Sequence, residues 1–229
     1  MRPRDPRRLL PRADRLARVR IVEHPESRDE PDGSVTSLQE AEISLPREEL
    51  DRIWTPEYLE RLARTYWSYL TRISLGALRV VYGPSSREIV LFGRPLVLLR
   101  FFAPEYETQA AYGSVTWRIN RGLLVAPSGR GRGFLRIAVR RPSGDDGSSD
   151  VTVRVTSEVS NFHPMLAASK PGGRRGLLAR VARFFYSMTQ LQIHVVVTHA
   201  FLRSLATLDL EPSVVGALRP PEPAELERR

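Results

Sequence analysis

Five residue groups in this chain are of types that do chemistry. Gln190 and His194 stand four apart, so on a helix one ligand group could meet both, and Tyr186 precedes them by one further turn. His194 and His199 are five apart and diverge by ~140° around a helix, so they do not chelate one metal ion as an i, i+4 pair would. The cluster Gly129-Arg130-Gly131-Arg132-Gly133 is followed by a strand pattern; without a helix N-terminus behind it, it reads as a hairpin turn rather than a phosphate loop. Arg100 interrupts an apolar run between Leu99 and Phe101, and Arg118 alternates with Trp117. Glu158, Asn161 and His163 close the last strand pattern. A buried Arg needs a partner, and a structural ion pair of Arg100 or Arg118 with Glu158 meets that need. The chain has no nucleophile elbow, no dinucleotide glycine pattern and no cysteine, so neither a thiolate metal site nor a disulfide framework is available. No metal and no cofactor is expected.

The elements that position these residues follow from periodicity. Val35 to Leu45 alternates in strand fashion, and Pro46 then marks a helix start, its fixed φ suiting the first turn and Glu48 and Glu49 favouring the N-terminal dipole. Thr55 and Pro56 supply a second cap-and-proline start. The face Leu59, Leu62, Tyr66, Leu70 and Ile73 predicts a second helix ended by Gly76. From Ala77 the period changes to two. Strands are predicted at Leu78 to Tyr82, Glu88 to Phe92, Leu96 to Phe102, Glu105 to Tyr112, Ser114 to Ala126, Gly133 to Arg141 and Asp150 to Phe162, wet on one face and joined as an antiparallel meander.

The last segment, Leu177 to Leu208, carries Leu177, Val181, Phe184, Met188, Leu191, Val195, Thr198, Leu202 and Leu205 at alternating steps of four and three. A continuous helix there would be roughly 48 Å long. The competing pattern is the alternation of Gln190 to Val197, where a strand would split the helix and favour an all-β sandwich or barrel.

Composition bounds the rest. The 229 residues suit one domain with tails: a basic, proline-punctuated and mostly disordered arm over 1–33, with a short strand possible at Val19 to Val22; a folded domain over 34–209; and a disordered tail over 210–229. The net charge is +9, but eight Arg against two Asp in residues 1–20 account for +6, leaving the folded part nearly balanced. The arm is the feature that would serve nucleic-acid or anionic-surface binding, and nucleic acid is not the expected partner. No transmembrane segment or signal-peptide core stands out, which leaves a cytoplasmic location by elimination.

Strand, two helices, a run of antiparallel strands and one long C-terminal helix is an order that resembles the helix-grip, START-like or SRPBCC superfamily of lipid-transfer domains, birch-pollen-allergen-like proteins and polyketide cyclases. The run Glu42-Ile43-Ser44-Leu45-Pro46-Arg47-Glu48-Glu49-Leu50-Asp51-Arg52-Ile53-Trp54, then Thr55-Pro56-Glu57-Tyr58-Leu59, looks like that superfamily's first strand, proline-started helix and second helix. The resemblance covers about 34–209. It implies an α+β fold in which a curved antiparallel sheet of six to seven strands wraps the C-terminal helix around a cavity. The implied function is binding of a hydrophobic small molecule or lipid, with a cyclase or aromatase-like reaction as the alternative. Residues expected to reach such a cavity are Arg100, Tyr106, Trp117, Arg118, Glu158, Asn161, Tyr186, Gln190 and His194. For the enzyme alternative, His194, Tyr186 or Glu158 would do the acid–base work.

Overall fold

The structure is a computed structural model, and it describes residues 17–93, 96–142, 148–165, 193–208 and 210–212, with 23–29 and 193–196 described as backbone alone. Nine strands form one antiparallel sheet, ordered β1 (Arg18–Asp29), β2 (Val35–Pro46), β9 (Asp150–Phe162), β8 (Phe134–Arg140), β7 (Tyr112–Arg121), β5 (Val97–Phe102), β4 (Ser86–Leu91), β3 (Leu78–Tyr82); β6 (Glu105–Thr108) pairs with the first half of β7. The expected meander from β3 to β9 is present, and β2 closes against β9 at the far end. Helices α1 (Arg47–Ile53) and α2 (Pro56–Ile73) follow β2, and α3 (Ile193–Ser204) is the last α-helix among the described residues. This is the helix-grip arrangement, with one strand added at the β2 edge.

Local chemistry accounts for the element ends. Pro46 lies just before α1 with φ −57°, and Glu48 and Glu49 occupy its first turn. The Thr55 side chain accepts from the Tyr58 N–H, satisfying one of the orphan donors of α2. At the other end, Gly76 N–H donates to Thr71 O at 2.8 Å and Leu75 N–H to Arg72 O at 3.1 Å, the paired bonds of a Schellman cap. Leu75, not Gly76, occupies the left-handed cap position proper, at φ 52°.

Alternation sorts the sheet into faces. In β9, Val151, Val153, Val155 and Ser157 are buried, and in β2 Ser37, Gln39, Ala41, Ile43 and Leu45 are buried; these rows form the inner face. Against it pack Leu62, Tyr66, Trp67 and Leu70 of α2 and Val197, Phe201 and Leu202 of α3. Trp67 ties the layers together: its ring lies 5.0 Å from Trp117 and 5.6 Å from Phe101. The outer face is wet and carries an ion-pair ladder in which Arg154 reaches Glu40 at 3.2 Å and Glu42 at 3.8 Å.

Three expectations change. The strand possible at Val19 to Val22 is a twelve-residue β1 registered from Arg18↔Ser44 to Asp29↔Val35, so ordered structure begins well before the expected boundary at Ser34. A polar edge strand with one paired side does not need an apolar alternation, which is why Glu23 to Gly33 reads as unstructured. The single strand expected over Glu105 to Tyr112 is instead β6, a turn and the start of β7. Residues 193–197 are helical, which removes the strand alternative for that half of Gln190 to Val197. Residues 177–192 of the expected long helix lie outside the described residues, as do residues 1–16 and 213–229 of the arm and tail.

Candidate functional site

An apolar cavity of about 70 Å³ lies between the inner sheet face, the first two helices and the end of α3. Ile43 and Leu45 of β2, Val153 and Val155 of β9, Val139 of β8 and Gly113 of β7 form its floor. Leu50, Ile53 and Trp54 of the α1 turn, with Tyr58, Leu59 and Leu62 of α2, form its roof; Leu205, Leu208 and Leu210, just past α3, form one side. Gly113 makes room for this roof, because a Cβ there would meet Leu59 Cδ1 at 3.1 Å. The polar groups at the rim are already engaged: the Trp54 indole N–H donates to Gln109 O at 3.1 Å, and the Tyr58 hydroxyl to Leu208 O at 3.5 Å.

Deeper along the same inner rows the chemistry turns polar. Gln39 and Ser157 are directly opposed on β2 and β9, 3% and 0% exposed, and Thr198 of α3, also 0% exposed, belongs to the same buried layer. The Tyr66 hydroxyl from α2 faces Ser157 and Thr198; burial pushes this phenol up to about 12, partly opposed by those two hydroxyls. Ser157 Oγ, Thr198 Oγ1 and Gln39 Nε2 nevertheless complete no hydrogen bond of ordinary geometry. His199 Nε2 lies 3.0 Å from Gln39 Oε1 and, with its proton on that nitrogen, donates to it. Burial, and secondarily the Arg203 charge, hold His199 below the usual imidazole value. Tyr66 and Phe201, edge to face with centroids 5.4 Å apart, belong to the same α2–α3 junction.

Of the residues singled out from sequence whose side chains are described, none lines the apolar cavity. Trp117 is a core residue, 1% exposed. Arg118 is outward on β7 and pairs with Glu105 at 2.7 Å; Arg100 pairs with Glu88 at 3.5 Å; Glu158 pairs with Arg136 at 3.8 Å across the outer face. Ion pairing is thus the fate of all three charges, with partners other than the expected Arg100–Glu158 or Arg118–Glu158. Glu158 stands on the outer face, an even position of a strand whose odd positions face inward, and its direct cross-strand neighbour there is Arg136; Arg118 shares that face but lies one strand farther away, beyond β8. Asn161 is exposed, with φ 51° near the end of β9. Tyr106 does turn inward, opposite Val115; burial first, then the Glu60 charge, push its phenol up to about 12. His194 is in α3 by its backbone, and Tyr186 and Gln190 lie outside the described residues.

Comparison with known proteins finds no matching protein-family model and no matching curated protein sequence. Among solved structures, norcoclaurine synthase from Thalictrum flavum is similar at 15% identity and a TM-score of 0.28, over 74% of this chain and 95% of that one. Human STARD10 is similar at 9% identity and a TM-score of 0.27, over 80% of this chain and 73% of that one. The helix-grip assignment rests on the chain's own strand order, and these likenesses add no argument about activity.

Proposed function

We propose that this protein binds a hydrophobic small molecule, or the aliphatic part of a lipid, between the inner sheet face and its helices. The observation that carries the reading is the cavity wall: apart from Thr55, Thr108 and the engaged groups of Trp54 and Tyr58, it is aliphatic. Burying apolar ligand surface there yields ~25 cal/mol per Å² without leaving a buried polar group unpaired. At about 70 Å³ the space is smaller than the roughly 150 Å³ that accepts a benzene-sized guest, so binding has to spread the wall. The side formed by Leu205, Leu208 and Leu210 is the part to move, because it is short and irregular, whereas the floor is hydrogen-bonded sheet.

Acid–base turnover finds no support in this wall, where the described residues place no carboxylate or histidine. Native mass spectrometry of freshly purified protein, followed by titration with fatty acids and polycyclic aromatics, tests the reading. Co-purifying or added apolar ligand is expected, and Val139→Phe, which fills the cavity from β8, is expected to exclude it. A protein that stays empty through the whole panel would sink the proposal.

A further inference from the structure

At the end of the sheet opposite the cavity, three large apolar side chains stand in solvent. Leu75 is 95% exposed, Phe92 74% and Leu123 41%. They come from three neighbouring turns, after α2, after β4 and after β7, and backbone bonds fix those turns together: Phe92 N–H donates to Ala77 O at 2.7 Å, and Leu123 N–H to Val97 O at 3.1 Å. Gly122 locks the third turn, since a Cβ on it would stand 2.1 Å from Leu98 O.

Two of the three pay a conformational cost for their position. Leu75 and Phe92 hold φ of 52° and 55°, in the left-handed region, although a glycine follows each of them directly. At Leu75 the cap position is the one glycine usually takes. Among the described residues nothing covers either side chain, and large apolar side chains exposed together mark a surface that meets a partner.

The charge around this tip names the partner's chemistry. Arg72, Arg79, Arg121, Arg130 and Arg132 are all exposed at this end of the sheet, and none forms an ion pair with a described carboxylate. The acidic residues of the same end, Asp29, Glu30 and Asp32, lie at the β1–β2 turn, where Asp32 comes within 3.9 Å of His163 beside Gly129; Arg72, Arg79 and Arg121 lie farther along the strand order from them. Apolar fingers at an end of the sheet that also exposes these arginines suit an anionic bilayer surface: the fingers enter the interface and the guanidinium groups meet lipid phosphates.

We infer that the turns carrying Leu75, Phe92 and Leu123 form a docking tip for anionic lipid membranes, separate from the ligand cavity. The test is co-sedimentation of the full chain with vesicles of phosphatidylcholine containing phosphatidylserine, against pure phosphatidylcholine. Binding is expected only to the anionic vesicles and is expected to weaken with salt. Leu75→Asn and Phe92→Asn, whose new residue tolerates the left-handed conformation, are each expected to reduce partition by about tenfold while leaving the thermal midpoint unchanged or higher. Arg121→Gln with Arg72→Gln should reduce it further. Absence of binding, or binding that both asparagine variants retain, overturns the inference, the latter by assigning adhesion to residues 1–16. Concentration-dependent dimerisation that Phe92→Asn abolishes, without vesicle binding, overturns it in favour of a protein interface. Loss of ligand in the Val139→Phe protein with vesicle binding intact separates this inference from the cavity reading.

Discussion

Tyr66 and Phe201 meet edge to face, 5.4 Å between centroids and 86° between planes, in the packing that joins α2 to α3. Both side chains are buried, and Leu62 and Leu205, one turn away on the respective segments, line the apolar cavity. Replacing Phe201 with Ala is therefore expected to cost about 3–5 kcal/mol, read from urea denaturation. The same variant should gain affinity for small aromatics, because the vacated space lies next to the existing cavity. A loss of stability below about 1 kcal/mol would show that the two helices do not depend on this contact.

Tyrosine ionisation provides a second check. Tyr66 and Tyr106 are both pushed up to about 12, chiefly by burial, while an unfolded tyrosine ionises near 10. A raised folded value means that the native state holds a proton the unfolded chain gives up. Stability from these groups is full below pH ~10 and is lost as pH rises toward 12. Ultraviolet titration of the native protein should show at least two of the seven tyrosines still neutral at pH ~11, and denaturant should release them.

His199 predicts a dependence at the acid end. Its folded value is depressed, so its contribution is present above the unfolded value of ~6.5 and is lost as pH falls through the folded value. Denaturation midpoints at pH 8 and pH 5 are expected to differ less in His199→Gln than in the native protein. An equal difference in both would exclude His199 as a source of acid sensitivity.

Gly122 and Leu75 form a contrasting pair of backbone positions. Gly122→Ala places a Cβ against the Leu98 carbonyl and is expected to cost on the order of 3 kcal/mol or more. Leu75→Gly relieves a left-handed leucine at a helix cap and is expected to stabilise by about 1 kcal/mol. Thermal melts of both variants decide the matter, and a destabilised Leu75→Gly would mean that the leucine side chain packs against something in the native protein.

Legibility from sequence depended on range. Leu78–Tyr82 and Asp150–Phe162 occupy the bounds that alternation predicts, and Pro46 and the Thr55-Pro56 pair start the helices they signal, because these are local effects. β1 was hidden because its pairing with β2 is a tertiary choice that its own polar residues do not advertise. Charged and aromatic residues drew attention as site candidates, yet Arg118 and Glu158 stand on outward parity and pair there. Ser157 was the better signal: it continues the odd row of Val151, Val153 and Val155, so a hydroxyl on the inner face was readable. Its companions Gln39, Tyr66 and Thr198 come from three other elements, and no spacing rule joins them.

The pairing of β2 with β9 also has a consequence in time. β2 bonds residues more than a hundred positions later, from Pro46↔Asp150 to Val35↔Phe162, so its apolar row of Ala41, Ile43 and Leu45 has no cover on the β9 side until most of the chain has been made. Contacts of such sequence separation delay folding, because loop closure is paid before they form. A newly synthesised chain therefore carries an unclosed sheet for most of its translation. Its yield in the cell depends on how well β1, already beside β2 by a short turn, shields that strand during the wait.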